Sequence, residues 1–277
     1  MFVRTVADVI GTDKEMKLTS DAGVVRSARI LTKEDGCGFS VSDNLIKGGF
    51  SVDLHYKNHV EANLIVEGQV TVQDLTRNKS WILTPGMLYV VGPKDRHRLS
   101  TEGDVHLVSI FSPATTGTER HDADGAYEPT GEIPLAWRGE GGRTMFVMRE
   151  EDARKVVLGG GSTRASRYLN RDDGCGFTVS TPRGSAGNES ILWYKNHVEA
   201  NYVLEGEATV EDLTTGETWE LEPGSLYVVG PLDRHMVRAK TDTYLMSIFN
   251  PPLKGDETHD ADGSYPPSGG IPPAWRT

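Results

Sequence analysis

The chain has 277 residues, 37% apolar and 25% charged, with 40 acidic against 29 basic residues and a formal net charge of −11. That composition suits a soluble protein long enough for two ordinary domains, and its acidity argues against a nucleic-acid backbone or an anionic membrane as partner. The sequence contains no apolar run near the ~18 residues of a membrane span. Its first residues, Met1-Phe2-Val3-Arg4-Thr5-Val6-Ala7-Asp8, lack the apolar core and cleavage site of a secretion signal, so a cytoplasmic protein is expected.

Residues 29–137 align with 167–275 at one constant offset and without a gap. The period is far too long for a solenoid, so the chain is read as a duplicated domain. Before residue 29 the register shifts, and Phe2-Val3-Arg4 matches Phe146-Val147-Met148-Arg149. Arg138-Gly139-Glu140-Gly141-Gly142-Arg143 is polar and glycine-rich, as linkers are. The expected division is therefore residues 1–138, a linker at 139–142, and residues 143–277.

In chain order, Ala7-Asp8-Val9-Ile10 suggests a short helical turn, as does Glu150-Glu151-Asp152-Ala153 at the head of the second repeat. The rest reads as strands. Phe39-Ser40-Val41 and Phe50-Ser51-Val52-Asp53-Leu54 alternate. Asn63-Leu64-Ile65-Val66, the turn Glu67-Gly68, and Gln69 to Leu75 form a hairpin. Thr76-Arg77-Asn78-Lys79 turns the chain into Ser80-Trp81-Ile82-Leu83, and Pro85-Gly86 turns it again into Met87 to Val91. Val105 to Phe111 is the last clear strand, and a polar tail, Glu119 to Tyr127, should wrap the domain or close its mouth. The second copy keeps the turns at Glu205-Gly206, Thr215-Gly216 and Pro223-Gly224. Short strands between Gly and Pro turns point to an all-β jelly roll in each half. The two cysteines, Cys37 and Cys175, occupy equivalent positions of the two repeats, so no disulfide between them is expected.

The chemistry lies in one triplet that occurs twice. Glu61 precedes the Gly68 turn, and Pro93 precedes Asp95-Arg96-His97. A Glu, a following Gly turn and a later Pro-then-His is the skeleton of a cupin metal site. The His-x-His that usually precedes such a Glu is broken: those positions read His55 and Lys57 in the first copy, Trp193 and Lys195 in the second. A protonated Lys and a Trp cannot ligate. Tyr89 shares strand parity with His97, so a reversal at Gly92-Pro93 would aim both into one barrel. Glu61, Tyr89 and His97, with Glu199, Tyr227 and His235, are thus the candidate ligands. A mixed carboxylate, phenolate and imidazole set suits Fe(II) or Mn(II), admits Zn(II), and leaves coordination positions for substrate.

The runs His55-Tyr56-Lys57-Asn58-His59-Val60-Glu61-Ala62 and Asp95-Arg96-His97, the Pro85-Gly86 turn with Tyr89, Phe111-Ser112-Pro113, Thr116-Gly117, Glu119, His121 and Asp124-Gly125-Ala126-Tyr127 resemble ectoine synthase. The resemblance covers nearly all of each repeat. It implies two tandem cupin barrels, an iron site on the same two triplets, and a small amino-acid-derived substrate. Because that family is a single-cupin homodimer, the resemblance also implies a monomer with an internal pseudo-dimer, or a homodimer. The implied catalytic residues are Tyr56, His59 and Glu119, with Tyr194, His197 and Glu257 in the second copy. Implied substrate contacts are His55, Phe111 and His121, with Trp193, Phe249 and His259. The family's usual Cys near the pocket Phe is Ser109 or Ser247 here, and its early Trp is Val25.

The reaction so implied is ring closure. An amine of an N-acylated diamino acid attacks the amide carbonyl with loss of water, and Glu119, ahead of His59, is the expected general base. Two other readings are an Fe(II) oxygenase acting on a small amino-acid-derived metabolite and a non-catalytic small-molecule-binding bicupin.

Overall fold

The computed structural model describes residues 1–158 and 163–276; residues 159–162 and 277 of the second repeat lie outside it. The chain forms two compact units, one made of Val9–Asp152 and the other of Met1–Asp8 with Ala153–Thr277. They are called the first and second barrel below. Each packs a seven-stranded antiparallel sheet with a four-stranded one, the jelly-roll arrangement the short alternating strands suggest.

In the first barrel the larger sheet runs Phe146–Met148, Leu88–Val91, Val60–Glu67, Val105–Ser112, Ser40–Ile46, Gly23–Leu31 and Glu15–Ser20. The smaller runs Ser51–Leu54, His97–Thr101, Val70–Asp74 and Lys79–Leu83. Val60–Glu67 lies mid-sheet and is buried over most of its length, as a strand covered on both faces must be. Val70–Asp74 keeps the two-residue alternation, with Val70, Val72 and Asp74 inward. Buried Asp74 accepts from the backbone N–H groups of Thr76 and Arg77 at 2.9 Å each, which explains the turn there.

The second barrel repeats this plan. Its larger sheet runs Phe2–Thr5, Ser225–Val229, Val198–Glu205, Thr243–Asn250, Thr178–Gly184, Thr163–Leu169 and Arg154–Leu158. Glu189–Leu192, His235–Ala239, Ala208–Asp212 and Thr218–Leu221 form the smaller.

The units cut the chain differently from the expected boundary at 139–142. Phe2–Thr5 pairs with Ser225–Val229, and Phe146–Met148 pairs with Leu88–Val91. The opening strand of each repeat therefore completes the sheet built by the other repeat. Val147 sits opposite Tyr89, and Val3 opposite Tyr227. The short helix falls at Val6–Val9, whereas residues 150–152 make only a turn. Glu15–Ser20 and Gly23–Leu31 are strands the pattern does not reveal.

The hairpin turn at Gly68 requires its residue type. The backbone is left-handed there, at φ 81°, and a Cβ would lie 2.2 Å from the Asp104 carbonyl. Gly206 is the same in the second barrel, 2.1 Å from the Asp242 carbonyl. Cys37 and Cys175 are buried thiols, each with Sγ near the backbone carbonyl two residues before it.

Candidate metal and substrate site

The three proposed donors of each barrel come from both sheets. Glu61 stands on Val60–Glu67 opposite Phe111, and Tyr89 two rungs away, opposite Asn63; both are in the larger sheet. His97 opens the first strand residue after the loop into the smaller sheet, opposite Leu54. The loop of residues 92–96 carries the chain from one wall to the other, which is how donors of equal parity meet. The Tyr89 and His97 rings lie 6.4 Å apart between centroids, and Tyr227 and His235 6.1 Å.

That loop is built to aim the imidazole. The Gly92 N–H donates to Asp95 Oδ2 at 2.9 Å, and the Asp95 N–H returns to the Gly92 carbonyl at 3.0 Å. A Cβ on Gly92 would sit 2.4 Å from the buried Trp137 ring, so only glycine lets the loop close on that indole. His97 Nδ1 then donates to the Asp95 carbonyl at 3.1 Å, which fixes the tautomer and turns the Nε2 lone pair inward. Asp233 and His235 repeat the bond at 3.1 Å, with Trp275 packed on Gly230.

His97 Nε2 and Glu61 Oε2 are buried with no hydrogen-bond partner, and so are His235 Nε2 and Glu199 Oε2. Orphaned buried acceptors are costly unless something else satisfies them. Burial pushes the Glu61 and Glu199 carboxyls from 4.5 up to about 8, against the hydrogen bonding of the neighbouring Asn and Ser. It lowers the affinity of His97 and His235 for a proton and holds the Tyr89 and Tyr227 phenols well above their usual range. All three groups are thus in the form that a cation would reverse or exploit. The residues present fit a divalent metal with mixed oxygen and nitrogen donors. Among the described residues no three of His, Cys, Asp and Glu gather as a metal cluster, so the phenol is indispensable to this reading.

The Glu and Tyr of each triplet line a cavity, and His97 and His235 are not among its lining residues. In the first barrel Tyr56, Glu61, Tyr89, Phe111, His121, Tyr127 and Arg29 line it; in the second, Tyr194, Glu199, Tyr227, Phe249, His259, Tyr265 and Arg167 do. The rings form one cluster, with Tyr56 edge-on to Phe111 at 5.2 Å and His121 stacked on Tyr127 at 4.5 Å. The Tyr56 hydroxyl and His121 Nε2 are 3.0 Å apart, as are those of Tyr194 and His259. Burial lowers His121 and His259 to about 4, so both are neutral near pH 7. The tail of residues 119–127 shuts this side of the barrel, as expected: the Gly125 carbonyl accepts from the His55 N–H, and a Cβ at Gly125 would be 2.7 Å from the Asp53 carbonyl.

Three sequence expectations need correction. His55 and Trp193 do not line the cavities. Each ring bonds a loop carbonyl instead, His55 Nε2 with Pro93 at 2.8 Å and Trp193 Nε1 with Pro231 at 2.7 Å. The two residues look dissimilar but brace the same loop. Glu119 is a poor general base, because its carboxylate is tied to its own turn. Oε1 accepts from the Thr116 N–H and Oε2 from the Gly117 N–H at 2.8 Å. Burial alone would raise it, but the N–H groups of Thr116, Glu119 and Gly117 outweigh that and hold it below its usual value. Glu257 is held likewise, with Arg167 3.5 Å away. Finally, His59 and His197 lie behind the cavity, their Nε2 atoms on Thr130 and Ser268 hydroxyls.

Arg29 and Arg167 are pocket residues that motif reading passed over. Arg29 is 3% exposed and reaches the Gly117 carbonyl at 2.9 Å and the Tyr127 hydroxyl at 3.3 Å. The signal was an arginine in both repeats, each inside a strand otherwise suited to the core.

Paired jelly rolls in one chain define a bicupin fold, and the fold comparison agrees. The oxalate decarboxylase of Lactobacillus farciminis superposes with a TM-score of 0.63 over 92% of this chain and 87% of its own, at 13% identity. A sequence model described as Ectoine synthase matches residues 1–131 and again 145–269, and the chain belongs to that family in tandem duplicate. The L-ectoine synthase of Oceanobacillus iheyensis is 46% identical over 107 residues, which is 39% of this chain and 84% of that protein. That of Rhodococcus jostii is 40% identical over 134 residues, 48% of this chain and 99% of that one.

Proposed function

We propose that the protein is a cyclodehydratase that closes an N-acylated diamino acid into a cyclic amidine in both barrels, with Fe(II) as the metal on Glu61, Tyr89 and His97 and on Glu199, Tyr227 and His235. The observation that carries this is the pair of orphaned acceptors, a carboxylate oxygen and an imidazole nitrogen, buried beside a phenol at an aromatic cavity in each barrel. Membership of the ectoine synthase family supports the reaction class.

When bound, the metal would supply Lewis-acid polarisation of the amide carbonyl. The protein's own groups do the rest. Arg29 or Arg167 offers a buried guanidinium for the amino-acid carboxylate, the pairing arginine geometry suits best. The aromatic walls hold the chain folded, so that amine and carbonyl meet as a near-attack pair. As the nitrogen-carbon bond forms, the amine must shed a proton. Neutral His121, bonded to the Tyr56 hydroxyl at the cavity, is placed to receive it, as His259 with Tyr194 is in the second barrel. The carbonyl oxygen leaves as water with two nitrogen-borne protons, leaving the ring C=N.

The test is mass loss of one water from N-acetyl-2,4-diaminobutyrate, read together with bound metal per chain. Wild type should carry two metal ions and turn over; Glu61→Ala and Glu199→Ala should each carry one. Unchanged activity in the doubly substituted protein removes the metal mechanism.

A further inference from the structure

The two cavities share one chemical floor but not their walls. That of the second barrel measures about 510 Å³, that of the first about 90 Å³. Small-molecule sites commonly enclose about 300–1,000 Å³; the second cavity falls within that range and the first well below it, which leaves the first no room beyond the smallest substrate.

One wall differs in kind between the two. In the first barrel Val25, Ile46, Phe50 and Val52 pack into the apolar core there. At the equivalent places of the second stand Thr163, Gly184, Asn188 and Ser190, all of which line its cavity. The ladders confirm the equivalence: Val25 faces Ile46 as Thr163 faces Gly184. Gly184 and Asn188 are smaller than the Ile46 and Phe50 they replace, which removes bulk from that wall. The replacements also change its character. The Asn188 amide donates to the Ser190 hydroxyl at 3.3 Å and lies 3.4 Å from the Thr163 hydroxyl, so three polar groups converge where the first barrel has only hydrocarbon.

On the proposed chemistry, ring size fixes the spacing of the two nitrogens, and the guanidinium fixes the carboxylate. The acyl substituent is the one part of the substrate that does not enter the ring and can vary freely. Resting on that reading, we infer that the second barrel takes an N-acyl diamino acid whose acyl chain is longer than acetyl and ends in a hydrogen-bonding group, recognised by Thr163, Asn188 and Ser190, while the first barrel is confined to short acyl groups. Bond changes are those of the parent reaction; the longer chain leaves as the ring substituent.

The experiment isolates each barrel. Glu61→Ala leaves the second donor set intact, Glu199→Ala the first. Both are given N-acetyl-, N-butanoyl- and N-(4-hydroxybutanoyl)-2,4-diaminobutyrate, and kcat/KM is read from loss of water. The ratio of hydroxybutanoyl to acetyl should be at least tenfold higher in the second barrel than in the first, with butanoyl between. In the Glu61→Ala background, Asn188→Phe with Ser190→Val should pull that ratio down by at least tenfold; Ser190→Val alone serves if the pair does not fold. Equal ratios in the two barrels, or a ratio these substitutions leave alone, overturns the inference. Calorimetric binding of the same three compounds is the separate readout. Tighter binding of the hydroxybutanoyl compound to the second barrel, without loss of water, upholds the pocket assignment and sinks the cyclisation instead.

Discussion

The first and second barrels keep the same donors on the same strands, yet one encloses less than a fifth of the other's cavity. What the duplication preserved and what it released are therefore separable. The loop that aims the imidazole, the Tyr–His pair and the buried guanidinium occur in both. The wall built by Phe50 and Ile46 does not. Geometry for the shared chemistry is over-determined by backbone hydrogen bonds, whereas the wall is set by side-chain bulk alone and can change without disturbing the donors.

Cutting the chain tests that separation most severely. Residues 1–138 alone lack Phe146–Met148, and residues 143–277 alone lack Phe2–Thr5. Each would expose the sheet edge beside its own tyrosine donor, an aggregation-prone edge. Neither half should give a soluble metal-binding barrel, and co-expression of the two should restore both, read by size-exclusion and metal content. Removing a donor comes next. His97→Ala should halve bound metal per chain and lower turnover by the first barrel by roughly 100-fold or more, the scale of losing one key electrostatic contact, while the second barrel keeps its metal. His235→Ala should do the reverse.

A smaller effect follows from the buried carboxyls. With metal chelated, Glu61 and Glu199 titrate at about 8 in the folded protein against 4.5 for the ordinary group. Between those values the native state holds protons that the unfolded chain has released. Stability is then fully present below about 4.5 and declines as pH rises through 8. Thermal unfolding of the chelated protein should show this slope, and Glu61→Gln or Glu199→Gln should each remove part of it. Trp193→His should matter least. His55 and Trp193 each make one bond to the equivalent loop carbonyl, Pro93 and Pro231, so thermal unfolding should show a loss of no more than about 1 kcal/mol, the size of one such bond.

The strand pattern and the duplication were legible because each depends on residue type at fixed spacing. Glu61, Tyr89 and His97 are read from parity plus one loop reversal, and the larger and smaller sheets supply that geometry. His55 and Trp193 misled because their positions suggest the pocket, while direction depends on a carbonyl in a distant loop. Glu119 misled because a carboxylate's strength as a base depends on the N–H groups around it, which spacing does not display. Arg29 was hidden by its setting, a charged residue among core residues whose partners, the Gly117 carbonyl and the Tyr127 hydroxyl, lie far along the chain. The exchange of opening strands was half visible. Phe2-Val3-Arg4 aligns with Phe146-Val147-Met148, but alignment cannot say which sheet a strand joins.

That exchange also governs how the protein can age. A duplicated gene ordinarily leaves one copy free to decay. Here Phe2–Thr5 and Phe146–Met148 make each repeat a structural creditor of the other, because discarding either would strip an edge from the survivor. Selection on one reaction therefore guards the framework of both, and inherited variation is channelled into the pocket walls, where a second specificity can arise at little risk to the first.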